Sequence, residues 1–153
     1  MSKITPNRIV KLFLRFAIAS AFLSAVLDRF GIWPEEQSAW GNWENFVSYT
    51  GQLLPWLPDF AVNFMAIIAT AAEVVFSILL LSGYKVGLTA KLSGFLLLSF
   101  AFAMSISLGI KASLDYSVFT ASSSAFALWL IDKEGQKELL NDYGIETPTQ
   151  EFP

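Results

Sequence analysis

The chain has 153 residues, of which 54% are hydrophobic and only 15% are charged, and its formal net charge is −3. A soluble domain of this size needs more charge to cover its surface, and the small acidic excess offers no basic field for a nucleic acid. Cysteine and histidine are both absent. Their absence excludes disulfides, thiolate nucleophiles and an imidazole general base, and it removes the commonest zinc and haem ligand. Any redox chemistry would therefore depend on a bound organic cofactor or on a partner.

Four apolar runs are long enough to cross a membrane as helices. In chain order they cover about residues 9–28, 60–82, 86–110 and 114–131. A helix needs about 20 residues, at ~1.5 Å each, to cross roughly 30 Å of hydrocarbon. The runs predict an all-α fold, an integral membrane antiparallel four-helix bundle that forms one domain over residues 1–134. We expect residues 135–153 to form a polar cytoplasmic tail.

Basic residues indicate the orientation of the predicted spans. They precede or begin the first span, lie between the second and third, and follow the fourth: Lys3, Arg8, Lys11, Arg15, Lys85, Lys133 and Lys137. The long segment 31–59 after the first span has no lysine or arginine. Because positive charge is retained inside, both termini are predicted to be cytoplasmic. We expect a multi-pass protein of the bacterial inner membrane.

The segment 31–59 holds four of the five tryptophans. From Trp40 its apolar residues recur as Trp40, Trp43, Phe46 and Val47, which is a helical spacing. The pattern predicts a short amphipathic helix on the outer surface, ending near Gly51 or Pro55. One interpretation is an aromatic belt that anchors the protein at the lipid interface. The other is a lid over a cavity between the helices.

Three charged residues lie well away from the ends of the predicted spans, where an unpaired charge is costly. Arg15, Glu73 and Lys91 all lie in the cytoplasmic half by residue count. We predict that they meet in a buried Arg15–Glu73–Lys91 cluster. Such a cluster is either an ion network that sets the helix register, or a polar floor beneath a ligand pocket, or a proton-linked site. Lys91 could instead snorkel to the cytoplasm.

A second polar group is predicted at the outer ends of the spans. It consists of Asp28, Arg29, Lys111, Asp115 and Tyr116. The expected charge pairs are Asp28 with Lys111 and Arg29 with Asp115. These pairs either stabilise the loops or form an entrance that recognises a polar head group below Trp40 and Trp43.

Small residues at four-residue spacing predict the faces where helices touch, because helices in lipid associate through close backbone approach. The first span has the row Ala17, Ala21 and Ala25. The second has Ala69, Glu73 and Ser77, which places the glutamate on a contact face.

Several segments resemble the DoxX family of small four-span membrane proteins: RFAIASAFLSAVLDRFG, AEVVFSILLLSGYKVGLTAK, KASLDYSVF and WGNWENFVSYT. Arg15 matches the family's arginine early in span one, and Glu73 matches the glutamate of its Ala-Glu segment. Arg29 and Lys85 fall near other basic positions of the family, and the resemblance runs from about Arg8 to Leu130. It implies the four-span architecture. It also implies an association with quinone-linked oxidation of reduced sulfur compounds or with membrane complexes that handle oxidative stress.

Three functions are compatible with these patterns, and none makes the chain an enzyme on its own. The first is a redox subunit that binds a quinone, with Glu73 and Lys91 contacting the ring oxygens. The second is a carrier of a small lipophilic molecule, and the third is a structural subunit that docks a membrane or periplasmic partner. The sequence predicts no catalytic residue or metal ligand, and it leaves open whether the chain forms a homo-oligomer. The predicted ligand-binding residues are Arg15, Glu73, Lys91, Asp28, Arg29, Lys111, Asp115, Tyr116, Trp40 and Trp43.

Overall fold

The computed structural model describes residues 6–142, and this range is helical with no β-strand. The helices are α1 (Pro6–Arg29), α2 (Trp43–Leu53), α3 (Asp59–Ser82), α4 (Val86–Ser107), α5 (Ile110–Asp115) and α6 (Val118–Asp142), with a short 3-10 helix at Glu35–Gln37. The predicted tail begins inside α6, since this helix continues to Asp142, and residues 143–153 lie outside the described residues.

Three of the described helices are long and apolar enough to cross a membrane: Asn7–Arg29, Asp59–Ser82 and Val86–Ser107. Their apolar side chains are widely exposed, as Phe13 (71%), Phe60 (80%) and Ile106 (72%) illustrate. A protein in water would not leave so many large apolar side chains uncovered. The exposure and the helix lengths together indicate a membrane protein.

The fourth apolar run differs from its prediction because it is broken near its start. The predicted span 114–131 begins at the end of α5, and a turn through Tyr116 and Ser117 separates that helix from α6. Ser117 has a φ of 54°, a left-handed conformation that interrupts a helix. The apolar part of α6, residues 118–131, therefore provides only about 21 Å of helix, at ~1.5 Å per residue.

The helices pack most extensively as two pairs, α1 with α3 and α4 with α6. A core of apolar side chains between the pairs includes Ile18, Ala19, Phe22, Leu80, Val86, Ala90, Ala125 and Leu128. Helices α4 and α6 approach closely at Gly94, whose carbonyl accepts a 2.9 Å hydrogen bond from Ser122 Oγ. The Phe126 ring occupies the space that a side chain at Gly94 would need. We call the boundary between the α1–α3 pair and the α4–α6 pair the seam.

Contacts between α1 and α3 follow a regular order. Arg15 lies against Leu80 and Leu81, Ser77 Oγ donates to the Ala19 carbonyl over 3.3 Å, and Arg29 reaches Thr70 and Glu73. Residue numbers thus rise along α1 while they fall along α3. The predicted contact row of the second span is confirmed at Glu73 and Ser77, which are both buried.

Helix α2 confirms the short helix predicted after the first span. The Asn42 side chain caps its start by accepting a 2.8 Å hydrogen bond from the Asn45 N–H. Its buried residues are Phe46, Thr50 and Leu53, and the helix packs on α3 and α4. We call the side of the molecule that carries α2 the α2 end.

Candidate functional site

A buried ion pair joins α1 to α3 near the α2 end. Arg29 and Glu73 are 3% and 2% exposed. Arg29 Nη1 lies 2.5 Å from Glu73 Oε2, and Nη2 donates to Oε1 over 3.0 Å. Nη1 also donates to Thr70 Oγ1 over 2.6 Å. One charge-assisted hydrogen bond, from Nη2 to Oε1, and the close approach of Nη1 to Oε2 hold the two charged groups together.

Aromatic rings from the α2 end cover this pair. The Arg29 guanidinium carbon lies 3.8 Å from the centre of the Phe46 ring and 5.4 Å from that of Trp40. The two rings meet edge to face, with their centres 5.2 Å apart. A cation over an aromatic face is stabilised by about 1–2 kcal/mol when it is shielded from water. Arg29 therefore ties α1, α2 and α3 together.

The predicted Arg15–Glu73–Lys91 cluster is wrong. Glu73 pairs with Arg29, whereas Arg15 Nε and Nη2 donate to the carbonyls of Leu80 and Leu81 over 2.7 and 3.1 Å. Lys91 Nζ lies 5.0 Å from the centre of the Trp129 ring. The three residues therefore have separate surroundings.

The tilt of helical side chains explains this outcome. In an α-helix the Cα–Cβ bonds lean toward the N-terminus. Arg29 thus leans back along α1 toward the level of Glu73, and Glu73 leans along α3 toward Arg29. Arg15 leans in the same direction along α1, and Lys91 leans toward the start of α4, so both side chains point away from Glu73 toward the helix ends opposite α2.

The predicted pairs Asp28–Lys111 and Arg29–Asp115 are also wrong. Lys111 pairs with Asp115, four residues further on, and both side chains are largely exposed. Neighbours one helical turn apart meet without any constraint on the rest of the fold. Arg29 is already bound by Glu73.

Tyr116, the remaining residue of that predicted group, is 72% exposed. It lies close enough to α2 to act on Tyr49. Burial raises the pKa of the Tyr49 phenol, and the neighbouring Tyr116 raises that pKa further.

Asp28 holds the tryptophan-rich segment against the end of α1. Its carboxylate accepts hydrogen bonds from the Ser38 hydroxyl and from the N–H groups of Ala39 and Trp40, the latter two over 3.0 Å. The side chain is 5% exposed. All three donors are neutral, and no cation of residues 7–141 forms an ion pair with this carboxylate.

A pocket of about 400 Å³ lies between α1 and the segment that Asp28 holds. We call it the head pocket, and its lining residues are Ala21, Ser24, Ala25, Asp28, Trp33, Gln37, Ala39 and Trp40. The Trp33 indole Nε1 donates to the Ser24 carbonyl over 3.1 Å, which fixes this ring beside α1. The pocket therefore combines aromatic rings and small apolar side chains with a hydroxyl, an amide and one carboxylate.

A second, smaller cavity of about 130 Å³ lies at the seam. We call it the tail cleft, and it is lined by Ala17, Ile18, Ala21, Phe22, Leu97, Ala121 and Ser124. Ala21 lines both spaces, so they adjoin along α1. Together they form what we call the groove, polar at the α2 end and almost entirely apolar at the seam.

The row Ala17, Ala21 and Ala25 therefore lines the groove, and the prediction that it is a helix contact face is wrong. Ala17 and Ala21 are exposed. Small side chains at this spacing leave room along α1, and no described helix fills that room.

Two of the ten predicted ligand-binding residues line the head pocket, Asp28 and Trp40. Trp43 instead lies against Phe30 and Phe46, with ring centres 6.4 and 5.7 Å away. Sequence reasoning missed Trp33 and Gln37, whose positions depend on how an irregular segment folds back onto α1.

The chain matches no family model, no curated protein and no solved structure. Its resemblance to the DoxX family stays a prediction that depends on the sequence segments themselves. The groove and the buried Arg29–Glu73 pair are thus the features from which a function can be inferred.

Proposed function

We propose that the protein is a DoxX-like subunit of the bacterial inner membrane that binds a lipophilic molecule in the groove. A quinone is the first candidate ligand. The observation that carries this proposal is the adjacency of the head pocket and the tail cleft, since a ligand with a polar head and an apolar tail matches both spaces.

We further propose that α1, α3, α4 and α6 form an antiparallel four-helix bundle that crosses the membrane four times. The opposite numbering of the α1–α3 contacts supports this arrangement. Residues 118–131 of α6 would complete the bundle, and the burial of Ser122, Ala125 and Leu128 supports their inclusion.

The distribution of charge supports cytoplasmic termini. Among the described side chains, the α2 end has two basic residues, Arg29 and Lys111, against seven acidic ones: Asp28, Glu35, Glu36, Glu44, Asp59, Glu73 and Asp115. The opposite end has seven basic residues, Arg8, Lys11, Arg15, Lys85, Lys91, Lys133 and Lys137, against three acidic ones, Asp132, Glu134 and Glu138. The end rich in basic residues is the one that membranes retain inside.

The lining of the head pocket suits a quinone ring. Its volume of about 400 Å³ lies within the range of small-molecule sites, roughly 300–1,000 Å³. Trp33 and Trp40 offer flat aromatic surfaces, and Ser24 and Gln37 offer a hydroxyl and an amide that can donate to the ring carbonyls. These residues replace Glu73 and Lys91 as the proposed contacts, because Glu73 is bound by Arg29 and Lys91 lies beside Trp129.

A bound quinone would supply the redox chemistry that a chain without cysteine or histidine lacks, and a partner in the membrane would exchange electrons with it. The exposure of Ala17 and Ala21 supports a second candidate, a carrier, because a groove open along α1 admits a ligand from the side. The docking function has less support, since Trp40 and Trp43 are half-buried against the protein's own aromatic rings.

A blocking substitution tests quinone binding. Ala21→Phe places a ring where the head pocket and the tail cleft adjoin, and Ala71→Phe is the matched control on the exposed surface of α3. We expect organic extracts of the wild type and of Ala71→Phe, purified in mild detergent, to contain about one quinone per chain by mass spectrometry. Ala21→Phe should contain little. Equal quinone in all three proteins, or none in the wild type, would contradict the proposal.

A further inference from the structure

The head pocket contains a negative charge that forms no ion pair with any cation of residues 7–141. Asp28 lines the pocket at 5% exposure, and its hydrogen-bond donors are the hydroxyl of Ser38 and two backbone N–H groups. These hydrogen bonds satisfy the carboxylate without neutralising it, so a cation in the pocket would gain a favourable charge interaction. Arg29, its neighbour in sequence, lies near the Trp40 ring, but its charge is paired with Glu73.

The surroundings of the pocket add to this negative charge. Glu35 and Glu36 are exposed in the same 3-10 helix as Gln37, which lines the pocket. The other basic residue of the α2 end, Lys111, is paired with Asp115. An anionic head group, such as that of an acidic phospholipid, would therefore be repelled.

Aromatic faces in the same pocket are suited to a positive charge that water binds weakly. Trp33 and Trp40 both line the space beside Asp28. Substituted ammonium groups are recognised by aromatic rings together with a carboxylate, because the ring face is negative and the alkyl substituents pack against it. The tail cleft, lined by Phe22 and Leu97, adjoins this space.

We propose that the groove binds lipophilic cations, amphiphiles that have a substituted ammonium head and an apolar tail. The head lies in the head pocket between Trp33 and Trp40 with Asp28 as its counter-charge, and the tail enters the cleft past Ala21. This inference uses the groove of the proposed function but does not depend on a quinone. Lipophilic cations would be a second class of ligand for the groove, distinguished from quinones by their positive charge.

Three probes that share one apolar body test the charge preference: diphenylhexatriene, its trimethylammonium derivative and its propionate. The full chain is placed in micelles of dodecyl maltoside, a detergent without charged groups, and energy transfer from the tryptophans to each probe is measured. We expect transfer to the cationic probe to saturate at about one probe per chain. The neutral and anionic probes should show only the non-saturating transfer of partition into the micelle.

A charge added to the pocket gives the decisive variant. Gln37→Lys introduces a cation into the head pocket without removing an Asp28 hydrogen bond, and Gln52→Lys adds the same charge at an exposed site of α2 outside the pocket. We expect Gln37→Lys to weaken binding of the cationic probe at least about tenfold, which corresponds to ~1.4 kcal/mol. Gln52→Lys should change it less than about twofold, since salt screens a charge in solvent.

Equal saturation by all three probes, or equal effects of the two lysine variants, would overturn the inference. Ala21→Leu, compared with Ala71→Leu, reports whether the probe lies in the groove at all. A saturable cationic probe that Ala21→Leu excludes supports the inference even where extracts contain no quinone. A quinone that Ala21→Phe excludes, together with no saturable cationic probe, would leave the proposed function standing and this inference overturned.

Discussion

Two arginines of α1 contact α3 in opposite ways. Arg29, at the α2 end, is buried, and it meets a carboxylate and two aromatic rings. Arg15, near the other end, is half-buried, and it meets the backbone carbonyls of Leu80 and Leu81. Those carbonyls belong to the last turn of α3, where helical carbonyls lack partners within the helix and carry partial negative charge. A helix end can therefore bind a cation where no acidic side chain is present, whereas Arg29 faces the middle of α3 and needs Glu73.

The comparison predicts a large loss of stability at one arginine and a small loss at the other. Arg29→Met should lower the free energy of unfolding by about 3–5 kcal/mol, because it leaves the Glu73 carboxylate buried without a counter-charge. Unfolding in detergent, followed by circular dichroism, measures the loss. The double variant Arg29→Met, Glu73→Met should recover most of it, and a single variant as stable as the wild type would show that the pair contributes little.

Removing the aromatic cover should have an intermediate effect. Phe46→Leu keeps an apolar side chain over Arg29 but removes the ring face, and we expect a loss of about 2 kcal/mol. The same substitution in the Arg29→Met background should cost clearly less. Equal costs in the two backgrounds would mean that Phe46 acts by packing alone.

Arg15→Met should cost only about 1 kcal/mol, because water can reach the freed carbonyls at the end of α3. Arg15→Lys should retain part of that stability, since an ammonium also interacts with a helix C-terminus. The measurement is the unfolding transition used for Arg29→Met. A cost as large as that of Arg29→Met would remove the distinction between the two ends of α1.

The smallest effect is expected at the exposed pair. Lys111→Met should leave the midpoint of unfolding unchanged within error, since Lys111 and Asp115 are both solvated. A measurable drop would indicate that Lys111 has a further partner when the protein is in a membrane.

Much of the fold could be predicted because long apolar runs specify membrane helices independently of their tertiary contacts. The starts of α3 and α4 lie within a residue of the predicted starts at 60 and 86. The break before α6 was not predictable in this way. The sequence there, Leu114 to Val118, contains no glycine or proline, so nothing in it signals the left-handed conformation of Ser117.

The site was harder to predict because it depends on the direction in which helical side chains tilt and on a segment of irregular backbone. Residue counts placed Glu73 within reach of several cations, and the tilt of side chains toward each helix N-terminus then favoured Arg29. That tilt could have been applied to the sequence once the spans had assigned directions. The same reasoning could not have predicted the head pocket. Trp33 and Gln37 line it because they belong to a segment with no periodic pattern, and the hydrogen bonds that Asp28 accepts hold this segment in place.

The seam has a consequence for how the molecule opens. Helices α1 and α3, and likewise α4 and α6, pack more extensively with each other than with any helix across the seam, so each pair should behave as one cooperative unit. Helices in lipid keep their backbone hydrogen bonds, so the weakest mode of opening is a sideways separation of the units rather than loss of helix. A transient separation of the two helix pairs would widen the tail cleft, while the backbone amides of the helices would stay protected from hydrogen exchange.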